Sequence, residues 1–139
     1  MNAKKKIAYL GPPGTFTEEA LDRFIKNPDQ IEKIPYTTVV EVIKSVDRGQ
    51  ADEGVVPIEN SIEGSVNITQ DILTFESEAK IIGEVTIPIK HSLIGKKKIK
   101  LKDIRKVISH PHATAQCRKF LSANLKNVEI IAANSTAEA

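Results

Sequence analysis

The chain reads as an α/β protein in which helices pack on mixed, mostly parallel sheets, and three features point there. Short apolar runs of strand length alternate with amphipathic stretches of helical period. The turns between them are clusters of Gly, Pro, Ser, Thr and Asn. The first half then repeats strand, helix, strand, helix, strand, the order that builds a parallel sheet covered by helices.

Ile7-Ala8-Tyr9-Leu10 forms a buried strand, Gly11-Pro12-Pro13-Gly14 a turn, and 16–25 a helix with Ala20, Leu21, Phe24 and Ile25 on one stripe. Asn27-Pro28 ends that helix, because the residue before a proline is pushed out of helical backbone. Residues 31–36 form a second strand, and Thr37 or Thr38 caps a helix over 39–46 that closes near Gly49. The third strand covers 53–58. Pro57 has no N–H for a ladder, so pairing stops there and Glu59, Asn60 and Ser61 leave the sheet. Gly64 allows a tight turn or a close ligand approach. A helix over 65–75 follows, with Ser61 or Ser65 as its N-cap and Val66, Ile68, Ile72, Leu73 and Phe75 as its apolar face.

The character changes at Ala79. Residues 80–94 are rich in β formers, namely Ile81, Ile82, Val85, Ile87, Ile89, Leu93 and Ile94, and Pro88 among them argues for a bend, an edge or a bulge. This reads as a crossover into a second lobe, which divides the chain into 1–78 and 79–139. A strand at 105–109, a helix over 112–125 and a strand at 128–132 follow, and Asn134-Ser135-Thr136 has the composition of a helix N-cap. Ala139 stands one turn into that helix, so the second lobe is expected to be incomplete at its carboxyl end.

A length of 139 residues suits one compact domain or two small lobes sharing a cleft. The net charge of +2 comes from 20 basic and 18 acidic residues, which gives no general preference for nucleic acid or anionic membrane. Neither is expected as a partner. The run Lys96-Lys97-Lys98-Ile99-Lys100-Leu101-Lys102 follows Gly95 and lacks interleaved aromatics, so it reads as a solvated loop or edge rather than a polyanion site. A single cysteine, Cys117, forms no internal disulfide and has no neighbouring Cys for a metal site, which fits a reducing cytoplasm. Lys4-Lys5-Lys6 precedes an apolar run too short for a secretory leader. No stretch is long enough to cross a membrane, and a soluble cytoplasmic protein is expected.

Three loops share a design. Gly11-Pro12-Pro13-Gly14-Thr15-Phe16-Thr17, the polar stretch from Glu59-Asn60-Ser61 through Ile62-Glu63 to Gly64-Ser65, and Ser109-His110-Pro111-His112-Ala113-Thr114-Ala115-Gln116 each join a strand to a helix. Each places hydroxyls or amides beside the free N–H groups of a helix start, which suits a small anion without any buried Lys or Arg. Other chemistries fail on count. Gly14-Thr15 lacks the trailing Lys of a P-loop, and the glycine spacing is not that of a dinucleotide fingerprint. His110 and His112 have no acidic partner at regular spacing, so a polar loop outweighs a zinc site. Cys117 reads as a packed thiol in a helix, and His91 as a surface or satisfied core group. Ser61 and Ser109 lack the Gly-x-Ser-x-Gly elbow of acyl transfer.

Taken together, these residues resemble a known family. Gly11-Pro12-x-Gly14-Thr15-Phe16-Thr17, Val56-Pro57-Ile58-Glu59-Asn60-Ser61-x-x-Gly64-x-Val66, Ser109-His110-Pro111 with Gln116-Cys117, and Asn134-Ser135-Thr136-Ala137 are similar to the motif series of prephenate dehydratase, in order and approximate spacing. The resemblance implies a two-lobed α/β fold similar to type II periplasmic binding proteins, with the active site between lobes. It implies conversion of prephenate to phenylpyruvate, water and carbon dioxide in phenylalanine biosynthesis, without metal or organic cofactor. By the same resemblance, Glu59, Asn60 and Ser61 form the catalytic cluster, in which Asn60 and Ser61 hydrogen-bond substrate and Glu59 either orients a neighbour or handles a proton. Thr15 and Thr17 from the first loop, Ser109 and Gln116 from the third, and Ser135 and Thr136 from the fourth bind substrate. His112 stands where many relatives have glutamine, and no role carries over to it.

That chemistry suits the residues. One carboxylate of prephenate must become neutral carbon dioxide, and an ion pair on it would stabilise the substrate more than the transition state. Neutral hydroxyls, amides and helix starts avoid that penalty. Family members also carry a Thr-Arg-Phe motif with the key catalytic threonine, and commonly an ACT domain that senses phenylalanine. Neither occurs in this sequence, so weak activity or none is expected of it alone. The alternative reading is a non-enzymatic small-carboxylate-binding module on the same fold. Family habit and an open sheet edge imply a homodimer.

Overall fold

The computed structural model describes residues 3–61 and 64–139; Ile62 and Glu63, inside the polar motif, lie outside the described residues. The chain folds as two compact units, Met1–Pro88 and Ile89–Ala139.

In the first unit, β1 (Lys5–Leu10) leads to α1 (Phe16–Phe24), a 3-10 turn (Pro28–Gln30), β2 (Ile31–Tyr36), α2 (Val39–Asp47) and β3 (Glu53–Val55). The strands form one parallel sheet in the order β2-β1-β3, in register from Lys5 against Ile31 to Leu10 against Tyr36, and from Ile7 against Glu53 to Tyr9 against Val55. The central strand must be apolar on both faces. Ile7, Ala8 and Tyr9 are 3%, 0% and 2% exposed. Side chains alternate along a strand, so Ile7 and Tyr9 pack with Leu21 and Ile25 of the α1 side, while Ala8 and Leu10 pack with Val42 and Val46 of α2.

This two-faced arrangement follows from topology. The step from β1 to β2 runs one way across the sheet, and the step from β2 to β3 passes back over β1. Right-handed crossovers in opposite directions place their helices on opposite faces. Beyond β1 the chain turns to the α1 face. Beyond β3 it leads to α3 (Asn67–Phe75), whose Ile72 packs on Val39 and Ile43 of α2. The carboxyl ends of β1 and β3 therefore flank a topological switch point, where open α/β sheets form ligand crevices.

The segment joining β3 to α3 departs from expectation. The third strand stops at Val55 rather than 58, and two short strands follow, β4 (Glu59–Asn60) and β5 (Gly64–Ser65), paired antiparallel with Glu59 opposite Ser65 and Asn60 opposite Gly64. Gly64 sits at φ 84°, in the left-handed region that glycine tolerates. Neither Ser61 nor Ser65 caps α3. Its N-cap is Val66, whose N–H donates to the Ile58 carbonyl at 2.9 Å and carries the hairpin pairing up to the helix start.

Residues 80–94 form no strand. β-branched composition favours extended backbone, but a strand needs a ladder. No described segment lies in register with this one, and Ile81, Ile82 and Ile94 stay exposed.

The second unit carries a 3-10 turn (Leu101–Asp103), β6 (Lys106–Ser109), α4 (Pro111–Gln116), α5 (Arg118–Asn124) and β7 (Glu129–Ala132). β6 and β7 pair in parallel from Lys106 against Glu129 to Ser109 against Ala132, over a small core of Ala113, Leu121 and Leu125. The helix expected over 112–125 is two helices meeting at Cys117, whose ψ of 3° leaves the α range. Among the described residues no helix is long and apolar enough to cross a membrane.

Candidate functional site

The polar loops of each unit lie at the carboxyl ends of its parallel strands. In the first unit, the loop after β1 begins at Gly11, whose N–H donates to the Tyr36 carbonyl at 2.8 Å. A Cβ at Gly11 would stand 2.9 Å from Cβ of Pro35, so only glycine lets the loop pass β2 this closely. Thr15 is the N-cap of α1. Its hydroxyl donates to the Leu10 carbonyl at 3.0 Å and accepts from the Glu18 N–H at 3.3 Å. Its one proton is thus held by the strand end, and a single lone pair is left for a ligand. Glu18 accepts from the Gly14 N–H at 2.6 Å, which ties the residue before the N-cap to the first turn of α1. Lys33 bridges Glu18 at 3.4 Å and Asp22 more closely; the hydrogen bond to Asp22 foremost raises its ammonium above the ordinary value. Burial, reinforced by the Glu18 carboxylate, raises the Tyr9 phenol beneath. Thr17, half-buried in the first turn of α1, makes no side-chain hydrogen bond with the described residues.

After β3, the hairpin sorts the three polar residues. Adjacent strand residues face opposite sides. Glu59 is exposed and Asn60 half-buried, while Ser61 lies exposed in the turn. The strand end is pinned from α3, where Thr69, fully buried, donates its hydroxyl to the Pro57 carbonyl at 2.7 Å.

In the second unit, Ser109 ends β6, and its carbonyl accepts from the Ala133 N–H at 3.0 Å, which brings the loop after β7 beside it. Ser135 accepts the Glu138 N–H at 3.0 Å through its hydroxyl oxygen, leaving its own proton to donate. Thr136 is exposed next to it. His110 caps α4, with Nδ1 accepting from the His112 N–H at 3.3 Å, and its ring meets that of His112 edge-on at 4.8 Å. Gln116, at the end of α4, has its Oε1 2.6 Å from Nε2 of His91.

The structure places Thr17 after β1 and Glu59 to Ser61 after β3, at the carboxyl ends of neighbouring strands, and sets the loop of Ser135 and Thr136 beside Ser109 at the end of the second sheet. Loops 11–17, 59–65, 109–116 and 134–136 contain no Lys or Arg. No group of three His, Cys, Asp or Glu that could hold a metal exists among the described residues. Two cavities lie elsewhere. One of about 480 Å3 is lined by Lys5, Ile31 and Glu53 at the amino ends of the first sheet. Another, of about 340 Å3, is lined by Arg105 and Val128 at the amino ends of the second.

Sequence reasoning missed three residues that hold these loops. Glu18 was legible, since Thr15-x-x-Glu18 has capping-box spacing. Thr69 was partly so, as a polar residue three positions before Ile72 on the buried stripe of α3. His91 had no local signal, because its partner lies 25 residues away.

The family model described as prephenate dehydratase matches residues 7–139. The chain is 42% identical over 139 residues to the bifunctional chorismate mutase/prephenate dehydratase of Aquifex aeolicus, covering 100% of this chain and 37% of that protein. It is 44% identical over 136 residues to the prephenate dehydratase of Methanocaldococcus jannaschii, covering 97% of this chain and 47% of that protein. Among solved structures, the prephenate dehydratase of Arthrobacter aurescens in complex with L-Phe matches with a TM-score of 0.84 and 39% identity, over 95% of this chain and 43% of that one. The chain spans less than half the length of these relatives.

Proposed function

Since the chain belongs to the prephenate dehydratase family, with its periplasmic-binding-protein-like α/β fold, we propose that its polar loops hold prephenate and serve its conversion to phenylpyruvate, a cytoplasmic step of phenylalanine biosynthesis. One observation carries this reading: four loops at the carboxyl ends of parallel strands present hydroxyls and amides and no Lys or Arg.

The reaction breaks the bond between the ring and its carboxylate, which departs as carbon dioxide. The freed electron pair enters the ring and expels the hydroxyl across it, which takes up one proton and leaves as water. A cation on the departing carboxylate would oppose the first event, whereas neutral donors orient it without holding its charge. Asn60, Ser61 and Thr17 supply such donors in the first unit, and Ser109, Gln116, Ser135 and Thr136 in the second. Thr15, its proton held by Leu10, shapes the loop rather than donating. Glu59, on the face opposite Asn60, orients a neighbour rather than handling a proton on the substrate that Asn60 holds.

The test is to incubate the purified chain with prephenate at neutral pH, follow phenylpyruvate by its absorbance in alkali, and measure binding by calorimetry. Turnover that is lost in Asn60→Ala and Ser109→Ala supports the reading. Binding without turnover favours a small-carboxylate-binding module on the same fold. Failure to bind or convert prephenate overturns both. In an active preparation, Asn60→Ala lowers the rate by about 10² to 10³-fold, the effect of losing one oriented donor.

A further inference from the structure

His91 stands in an extended segment without regular secondary structure, yet its half-buried ring meets the half-buried Gln116 carboxamide at 2.6 Å. It is the carboxamide oxygen that faces the ring nitrogen. That oxygen only accepts, so the contact is a hydrogen bond in the tautomer that carries the His91 proton on Nε2. A glutamine side chain has an accepting end and a donating end of nearly equal size, and either can face a ligand. Turned one way, it offers two N–H donors to an anion. Turned the other, it sets a lone pair against the anion's charge.

We propose that His91 is a positioning residue that locks the Gln116 carboxamide so that its amino end, and not its oxygen, is presented to the anionic substrate. The inference rests on the prephenate reading above and deepens it. His91 touches no substrate; with its proton on Nε2, the ring selects one of the two amide orientations before the ligand arrives. The lock also explains why a segment without a ladder holds a fixed place in the second unit, since the bond ties residue 91 to the last turn of α4.

Two measurements test it. Nitrogen-resolved NMR of the imidazoles in the ligand-free chain should show His91 protonated at Nε2 with a slowly exchanging proton, and the signal should lose its protection in Gln116→Ala. Calorimetry with prephenate then compares variants. His91→Leu removes the donor and weakens binding about ten-fold, the worth of one oriented hydrogen bond. His91→Gln, whose amide reaches the position of Nε2, restores most of the affinity. Restoration by Gln separates positioning from packing, because leucine fills the volume and glutamine brings back the proton. Equal affinity in His91→Leu and the unmodified chain overturns the inference, as does a His91 proton on Nδ1. Should leucine unfold the second unit, the imidazole decides: a protected proton on Nε2 that is lost in Gln116→Ala supports the lock, and a proton on Nδ1 overturns it. Absence of prephenate binding by the unmodified chain sinks the substrate reading and this one with it, while the imidazole signal still reports whether the bond exists.

Discussion

Thr69 shows how a residue far from any ligand can govern a site. Pro57 interrupts the ladder after β3, and its carbonyl would be unsatisfied were it not for the Thr69 hydroxyl at 2.7 Å. Thr69→Val keeps the side-chain volume and removes only that bond, leaving a carbonyl without its partner. The expected cost is about 1 to 3 kcal/mol. It should appear as a lower urea midpoint with unchanged slope, together with weaker prephenate binding as the hairpin bearing Asn60 loosens. Ser61→Ala is the contrast. Ser61 is exposed, so its removal should leave stability within about 0.5 kcal/mol and affect binding alone. A T69V midpoint equal to that of the unmodified chain would show that the strand end needs no anchor. Thr15 divides its hydroxyl in the same spirit, giving the proton to Leu10 and a lone pair to Glu18.

Helix α2 carries a titratable version of such a cap. Thr38 accepts the Glu41 N–H at 3.1 Å, and the Glu41 carboxylate accepts from Thr37 and Thr38. These hydrogen bonds, from Thr37 first, hold the Glu41 carboxyl below its ordinary value. A carboxyl whose folded value is lowered contributes stability above the ordinary value of about 4.3 and loses it as pH falls through the folded value. Glu41→Gln should therefore melt below the unmodified chain at pH 6, and the gap should close toward pH 3. A gap constant across that range would deny the linkage. Thr38→Ala should cost about 1 kcal/mol at either pH. Caps of this kind are written locally, and so are the alternating strands and helices, which is why β2 falls on the residues anticipated for it and Thr38 is one of the two caps named. Pairing is not local. The hairpin of Glu59 and Asn60 with Gly64 and Ser65 needed a partner strand that two-residue segments do not announce, and 80–94 had strand composition without a partner. The candidate site divides the same way: its polar loops were legible as clusters, whereas the Gln116 bond to His91 and the opposite faces of Glu59 and Asn60 arise only from tertiary placement.

A net charge of +2 conceals a division between the two units. Residues 1–88 hold nine Lys and Arg against fifteen Asp and Glu, and residues 89–139 hold eleven against three. The first unit neutralises part of its charge in contacts such as Arg23 with Glu19 at 2.7 Å and Lys33 with Glu18 and Asp22. In the second, Lys106 with Glu129 at 3.0 Å is the sole ion pair among the described residues. Fields from exposed charges decay over about 10 Å at 0.1 M salt, so a surface meets the local charge rather than the total. At pH 7.5 and low salt the chain should therefore be retained by sulfonate resin as firmly as a far more basic protein, and released as salt rises through about 0.1 to 0.5 M. Replacing Lys96, Lys97, Lys98 and Lys100 with Glu should abolish that retention. It should not lower the melting temperature, because these exposed lysines form no ion pair with the described residues and repel one another. Flow-through of the unmodified chain at low salt would mean that the acids of the first unit offset the basic segment in solution. A destabilised quadruple variant would instead assign those lysines a structural contact.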